Sequence, residues 1–269
     1  MKLAYKFFGA ETHKEIIILH GLFGSKRNWF SIAKSLAQLG NKVWVLDLRN
    51  HGETSWNKSH TYFDIAADIK NFINVKNLKK ACLLGHSMGG KAAMLFDLLY
   101  PNLASQLIIV DIAPVNYSSP FRDYLRILSL IDLDTFKTRG EIDQNISNEI
   151  KDPNIRSFLL QNIRINEEGI LSWRINIDAL INNSSEISDF PEVDIVSKTK
   201  TLFLYGSKSE YSVYSHKKCI EKIFLNAFYK EIEDVGHWVH AEKPKEFIEI
   251  VTNFLKSTYT QPESFVLRG

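Results

Sequence analysis

Short apolar runs alternate with longer amphipathic segments along the first 110 residues of the chain. Continuous runs of isoleucine, valine and leucine, which are typical of parallel strands buried on both faces, occupy residues 16–19, 43–46 and 107–110. The periodicity of the segments between them predicts helices over residues 29–39 and 64–75. Residues 3–7 alternate between apolar and other positions, which predicts an edge strand that turns at Gly9. This succession of strands and helices predicts an α/β fold with a mostly parallel sheet, flanking helices and right-handed crossovers.

The strand pattern stops near residue 115 and returns near residue 199. Between them, apolar positions occur at helical spacing, but no run is strong enough for a buried strand. Strand and helix patterns then alternate again, at residues 201–206, 216–223, 227–232 and 244–255. We therefore predict a core domain of residues 1–115 and 199–269, with a helical cap of residues 116–198 inserted after the sixth strand of the sheet.

The apolar run at residues 81–84 ends in Gly85-His86-Ser87-Met88-Gly89 and is followed by an alanine-rich helical segment. A Gly-x-Ser-x-Gly sequence between a strand and a helix is typical of a nucleophilic serine. The glycines permit a sharp turn, which we expect to hold Ser87 in a strained conformation with its hydroxyl above the sheet. The alternative is a glycine-rich turn in which Ser87 only caps the helix. As a nucleophile, Ser87 would need a base, an acid and oxyanion donors.

The base should follow Ser87 in the chain, because the order of the triad in this architecture is serine, acid, histidine. This order excludes the five histidines that precede it: His13, His20, His51, His60 and His86. His216 falls inside a predicted helix, and we interpret His240 as a helix-start or surface residue. His237 follows a glycine just beyond the last predicted strand, at the edge of the sheet where Ser87 is expected. We therefore predict that His237 is the general base.

The position of the acid is open between two residues. The usual place is the loop after the strand that begins at Thr201, but there a serine follows Gly206 where an aspartate is usual. Glu210 lies in that loop and is one candidate. Asp111 ends the preceding strand at the same edge, where a buried carboxylate needs a partner. The alternative is that Asp111 only stabilises the turn that leads into the predicted helical cap.

Composition narrows the class of protein. Apolar residues make up 45% of the 269 residues and charged residues 24%, as in ordinary globular proteins. The net charge of +2, without a basic run, argues against nucleic acid or an acidic membrane face as the partner. Two cysteines, Cys82 and Cys219, do not make a disulfide framework. We find neither a signal-peptide pattern nor a stretch long enough to span a membrane, and we expect a soluble cytoplasmic protein.

Five segments carry a resemblance to a known family, namely residues 20–25, 47–52, 85–91, 111–114 and 236–244. Together they resemble the YbfF-type bacterial esterases, a branch of the α/β-hydrolase superfamily that is also similar to the eukaryotic abhydrolase-domain-11 proteins. The resemblance spans nearly the whole chain. The serine and histidine motifs are general to the superfamily. The more specific motifs are Asn50-His51-Gly52, Asp111-Ile112-Ala113-Pro114 and His237-Trp238-Val239-His240.

The resemblance also bears on the acid. The bacterial members carry it at the aspartate of the Asp-Ile-Ala-Pro motif, which implies Asp111 here. Asp178 lies in a segment, residues 173–180, that matches a recurring part of the family. Because this segment falls in the predicted cap, Asp178 is the third candidate, behind Asp111 and Glu210.

An oxyanion hole needs two convergent backbone donors around the tetrahedral oxygen. The amide of Met88 is one, because Met88 follows the nucleophile. The loop after the strand at residues 16–19 supplies the other. Both its position and the resemblance indicate the amide of Leu22 or of Phe23.

The candidate residues and the resemblance together predict a serine hydrolase with an α/β-hydrolase fold. It would cleave carboxylic esters or thioesters of small to medium acyl chains through an acyl-enzyme on Ser87, with His237 and Asp111 completing the triad. The expected partner is a small-molecule acyl ester or thioester, no cofactor or metal is expected, and the sequence does not define an oligomeric state. The alternatives are a C–C bond hydrolase or lyase of the same fold, and a non-catalytic ligand-binding homologue.

Overall fold

A computed structural model describes residues 1–9, 14–118 and 120–257. In chain order, their strands are β1 (Tyr5–Phe8), β2 (Glu15–Leu19), β3 (Lys42–Leu46), β4 (Ala81–His86), β5 (Ala104–Val110), β6 (Ile163–Ile165), β7 (Leu171–Trp173), β8 (Thr201–Gly206) and β9 (Ala227–Ile232). Seven of them form one sheet in the order β1-β3-β2-β4-β5-β8-β9. β1 is antiparallel to β3, and the other neighbouring strands of this sheet are parallel. The predicted mostly parallel sheet is confirmed.

The helices of these residues are α1 (Phe30–Gln38), α2 (Tyr62–Val75), α3 (Met88–Leu99), α4 (Phe121–Ser129), α5 (Arg139–Asn145), α6 (Pro153–Leu160), α7 (Ile177–Asn182), α8 (Ser184–Ser188), α9 (Lys217–Ile223), α10 (Val239–Glu242) and α11 (Pro244–Lys256). Alternate residues of β2 pack on opposite faces of the sheet. Ile16 and Ile18 pack with side chains of α1 and α11. Ile17 and Leu19 pack with those of α2, α3 and α9. Within the described ranges, no helix is long and apolar enough to cross a lipid bilayer.

The cap lies between β5 and β8 and contains α4 to α8. Its apolar side chains form a cluster of their own, to which the core contributes Phe23. The cap follows the fifth strand of the chain, so its predicted position after the sixth strand is wrong. Only β1 precedes the first parallel strand, and the chain has therefore completed five strands when it leaves the sheet at Val110.

The cap also contains a β-hairpin that the sequence does not predict. β6 and β7 pair in antiparallel fashion through Arg164 and Ser172. Each strand has three residues, and two of the three in β6 are exposed. Such short and half-exposed strands leave no apolar run in the sequence, which explains why the segment is predicted as helical.

Predicted element limits agree with the structure to within a few residues. The helix predicted over residues 64–75 begins two residues earlier, at Tyr62, because the Thr61 side chain accepts a hydrogen bond from Asp64 N and caps it. The strand predicted over residues 227–232 is β9. His13 and the last part of the predicted core, residues 258–269, lie outside the described residues.

Candidate active site

Ser87 lies at a sharp turn between β4 and α3. Its φ of 52° and ψ of −119° put a residue other than glycine in a strained backbone conformation, as predicted. The turn requires glycine nearby, because a Cβ atom on Gly85 would lie 2.2 Å from the carbonyl oxygen of Gly89. Since α3 begins at Met88, the unpaired amides of its first turn favour negative charge beside Ser87.

His237 lies in the loop after β9, and its Nδ1 donates to Asp111 Oδ2 over 2.7 Å. Asp111 follows β5 and is fully buried. The two loops meet because β5, β8 and β9 are parallel neighbours whose carboxyl ends lie at one edge of the sheet. A histidine that donates from Nδ1 has its Nε2 free to accept a proton.

The last residue of β8 and the loop after it provide two more donors to Asp111. Gly206 N donates to Oδ1 over 3.1 Å, and the Ser209 hydroxyl donates to Oδ2. Together with His237, three donors thus surround a carboxylate without solvent exposure, which offsets the cost of burying its charge. The sequence does not identify Ser209, since nothing in the residue pattern indicates that this loop supplies donors in place of an acid.

Ser87 and His237 line the same cavity. His86, the residue before Ser87, donates from Nε2 to the carbonyl oxygen of His237 over 3.0 Å, and the two imidazole rings lie 4.5 Å apart. The Tyr211 ring stacks on His237 at 4.2 Å. These contacts hold the His237 ring beside the nucleophile turn. Within the described residues no hydrogen bond joins Ser87 Oγ to His237; such bonds often tighten only when substrate is bound.

The other candidate acids have different surroundings. Glu210 is exposed at the wall of the cavity. Asp178 is exposed on α7 in the cap and is not among the residues that line the cavity. Within the described part of the chain, neither carboxylate is hydrogen-bonded to His237. Of the three candidates, Asp111 is the one that the structure brings to this ring.

The loop after β2 approaches the nucleophile turn closely. A Cβ atom on Gly21 would lie 2.8 Å from His86 Nδ1 and 3.2 Å from Ser87 Cβ. Any larger residue at this position would displace the His86 ring and crowd Ser87. Gly24 N donates to Gly21 O over 3.0 Å, and Phe23, with a φ of 62°, closes the tight turn between them.

The candidate oxyanion residues Leu22, Phe23 and Met88 all line the cavity with Ser87. Among the described residues, the amides of Leu22 and Phe23 make no hydrogen bond within the loop or to another element. The Met88 amide, at the first position of α3, has no acceptor within its helix. The structure thus offers backbone donors on both sides of the nucleophile.

The cavity has a volume of about 370 Å³ and lies between the sheet edge and the cap. The cap and the residue after His237 contribute apolar side chains to its wall, including Phe121, Phe158, Leu159 and Trp238. Asn162 in the cap donates from Nδ2 to Phe23 O over 2.8 Å and so ties the cap to the loop after β2. The site is therefore built jointly by the core and the cap.

Two buried histidines, His86 and His240, lie close to His237. His240 is the second residue of α10, and it is buried rather than on the surface, because its ring stacks on Trp29 at 3.9 Å and lies 5.0 Å from His86. Burial lowers the pKa of His86 well below 6.5 and that of His240 to about 3, and positive charge on His237 acts in the same direction. Both rings are therefore uncharged at neutral pH and do not repel a positive charge on His237.

Buried histidines also make the stability of the fold sensitive to acid. Burial lowers the pKa of His20, His51, His60, His86 and His240. Because these groups titrate near pH 6.5 when unfolded, the unfolded chain binds more protons below that pH, and the free energy of unfolding falls as the pH falls. For His60 and His240, both with a pKa of about 3, we expect a loss of about 2 kcal/mol each between pH 7 and pH 5.

Urea unfolding at the two pH values measures this loss. His240→Phe keeps an aromatic ring on Trp29 but cannot take up a proton. The variant should therefore lose about 2 kcal/mol less than the wild type between pH 7 and pH 5. An equal loss in both proteins would contradict the assignment of His240 as a buried neutral group.

The chain is similar to known proteins both in sequence and in structure. A family model described as alpha/beta hydrolase fold matches residues 14–244. The sequence is 36% identical over 264 residues to the sn-1-specific diacylglycerol lipase ABHD11 of Danio rerio, covering 95% of this chain and 83% of that protein. It is 34% identical over 267 residues to an abhydrolase domain-containing protein of Schizosaccharomyces pombe, covering 96% and 98%. A solved structure described as a marine microorganism esterase has a TM-score of 0.90 and 37% identity, covering 94% of this chain and 99% of that one.

Proposed function

This chain belongs to the α/β-hydrolase family, and we propose that it is a serine hydrolase that cleaves carboxylic esters or thioesters with Ser87, His237 and Asp111. The lipase and esterase relatives support ester hydrolysis. The observation that carries the proposal is the 2.7 Å hydrogen bond from His237 Nδ1 to the buried Asp111, at the wall of the cavity that Ser87 also lines. A serine nucleophile needs this combination of a base, a group that orients the base and a space for the acyl group.

In the proposed reaction, His237 Nε2 accepts the proton of the Ser87 hydroxyl while the serine oxygen attacks the carbonyl carbon. Asp111 keeps the proton on Nδ1 and stabilises the positive charge that forms on the ring. When the tetrahedral intermediate collapses, His237 gives its proton to the leaving alcohol or thiol, and the acyl group stays on Ser87. Water then attacks the acyl-enzyme with the same histidine as base, which releases the carboxylic acid and restores the serine.

The negative charge on the tetrahedral oxygen would be stabilised by the amide of Met88 together with that of Leu22 or Phe23. All three residues line the cavity. Their amide dipoles are already oriented before substrate binds, so little reorganisation is needed in the transition state. The tight turn at Phe23, and the hydrogen bond from Asn162 in the cap to Phe23 O, keep the amides of Leu22 and Phe23 in place.

The cavity supports small to medium acyl groups as substrates. Its volume of about 370 Å³ lies at the lower end of ligand pockets, which span about 300–1,000 Å³. The aromatic side chains Phe121, Phe158 and Trp238 on its wall suit an aliphatic acyl chain better than a charged one.

Labelling with a fluorophosphonate tests the proposed function. The reagent reacts with a serine only when a base activates it, so one equivalent should attach, and peptide mapping should find it on Ser87. Hydrolysis of p-nitrophenyl esters and acyl-CoA thioesters of increasing chain length then defines the substrate. An unlabelled Ser87 in folded protein would refute the hydrolase proposal and favour a non-catalytic binding role.

A further inference from the structure

Lys91 is a buried lysine that the proposed reaction does not use. It lies on α3, one helical turn after Ser87, and only 2% of its surface is exposed. Within the described residues it has no carboxylate partner in an ion pair, yet its side chain lines the cavity. Because a buried ammonium group is costly without hydrogen bonds, its contacts indicate what it does.

The Lys91 ammonium group binds the chain where it leaves the cap. Its Nζ donates to Ser188 O over 2.7 Å and to Asp189 O over 2.9 Å. These carbonyls belong to the last residue of α8 and to the residue after it, and carbonyls at a helix end have no donor within the helix. The next residue, Phe190, packs in the apolar core cluster that also contains side chains of α2, α3 and α9. Lys91 thus joins the helix of the nucleophile to the junction between cap and core.

Two tyrosines bind the same stretch of chain. The Tyr62 hydroxyl donates to Ile187 O over 2.9 Å, and Tyr117 N donates to Ser188 O over 3.0 Å. Each carbonyl of residues 187–189 is thus bound by a side chain of α2 or α3, namely Tyr62 or Lys91. Since Ile187 and Ser188 line the cavity, the position of this stretch determines the shape of the cavity wall.

We propose that Lys91 is a specificity-determining residue that anchors residues 187–189 to α3 and thereby shapes the acyl-binding part of the cavity. This proposal rests on the proposed function of Ser87. Lys91 acts through the cap and touches none of the reacting atoms, so it is a positioning residue. Removing it should loosen one wall of the cavity and leave the nucleophile intact.

An alternative role for Lys91 would be to bind a carboxylate on the substrate. Two of its donors are already used by carbonyls, and the Tyr62 and Tyr117 rings lie 5.9 and 5.2 Å from Nζ. Burial also lowers the pKa of Lys91 to about 7, with Asp189 acting in the opposite direction. A lysine that loses its charge near neutral pH suits neutral carbonyl partners better than an anionic ligand.

The test compares Lys91→Met with the matched control Lys70→Met, whose lysine lies on α2 over the Tyr100 ring and away from the cavity. Methionine keeps the length of the side chain but removes the hydrogen bonds from Lys91 to both carbonyls, while Ser188 O keeps the one from Tyr117 N. For p-nitrophenyl octanoate we expect KM to rise about tenfold in Lys91→Met, with kcat within about threefold. Tyr62→Phe, which removes the bond to Ile187 O, should raise KM in the same direction by less. Lys70→Met should leave KM unchanged.

Two measurements separate this proposal from the proposed function. Hydrogen exchange of residues 184–190 should be faster in Lys91→Met than in Lys70→Met, whether or not Ser87 is catalytic. Because the fluorophosphonate reagent is small, Lys91→Met should be labelled at Ser87 at a rate within about threefold of the wild-type rate. Unchanged exchange together with unchanged KM in Lys91→Met and Tyr62→Phe would overturn the anchoring role. A loss confined to esters with a terminal carboxylate would overturn it in favour of anion binding.

Discussion

Replacing Ser87 with alanine is expected to lower kcat about a millionfold while leaving the fold intact. The proposed reaction forms a covalent bond to the serine oxygen, and removing the nucleophile of a serine hydrolase costs about this much. The change removes one atom at a position whose strained backbone is held by Gly85 and Gly89 on either side. Alanine keeps the Cβ atom, so the cavity wall should change little, and KM should stay within a few-fold.

Initial rates with a p-nitrophenyl ester measure the effect, with circular dichroism to verify folding. Ser207→Ala is the matched control. Ser207 also lies at the edge of the sheet, but its hydroxyl accepts a hydrogen bond from Asp234 N and is away from the cavity. This control should keep kcat within about threefold. If Ser87→Ala retains more than a few per cent of the wild-type rate, another group is the nucleophile and the mechanism fails.

Asp111→Asn should lower kcat by about four orders of magnitude, the cost of the equivalent change in a known serine protease triad. The asparagine amide would donate to His237 Nδ1, which forces the ring proton onto Nε2 and removes the base. Ser209 and Gly206 would lose part of their acceptor as well. Because the two side chains have the same shape, the cost reflects the hydrogen-bonding pattern rather than a cavity.

Glu210→Gln is the control for this prediction, because Glu210 lies in the loop where the acid is usually found. It is exposed, and we expect kcat within about threefold of the wild type. Both variants should be compared at one pH by their kcat and kcat/KM. The reverse result, with activity retained in Asp111→Asn and lost in Glu210→Gln, would show that the acid is Glu210 and that the Asp111 bond is structural.

The mostly parallel sheet and the nucleophile turn could be predicted because their signals are local. Buried runs such as residues 16–19 and 107–110 have few ways to cover both faces, and a parallel sheet between helices is the common one. The Gly85-x-Ser87-x-Gly89 turn could likewise be predicted, because its backbone segments lie so close together that they require glycine.

Predictions failed where the sequence signal was weak or depended on distant partners. The hairpin of the cap has three-residue strands that leave no apolar run. His240 could be assigned to a helix start from its neighbours, but its burial depends on Trp29, which lies far away in the chain. The cap follows the fifth strand because only one strand, β1, precedes β2. The edge-strand pattern at residues 3–7 already predicted that strand.

The residue pattern was enough to predict the layered α/β architecture and a short set of candidate residues at one edge of the sheet. It did not show which carboxylate meets the imidazole of His237 or which groups hold it there, because these depend on contacts between distant loops. Asp111 and His237 are 126 positions apart, and Ser209 joins them from a third loop. Parallel strands bring such loops to the same edge, but the packing of the loops against one another selects the partners. For the same reason, only the structure shows that Lys91 binds the carbonyls of Ser188 and Asp189, where the chain leaves the cap.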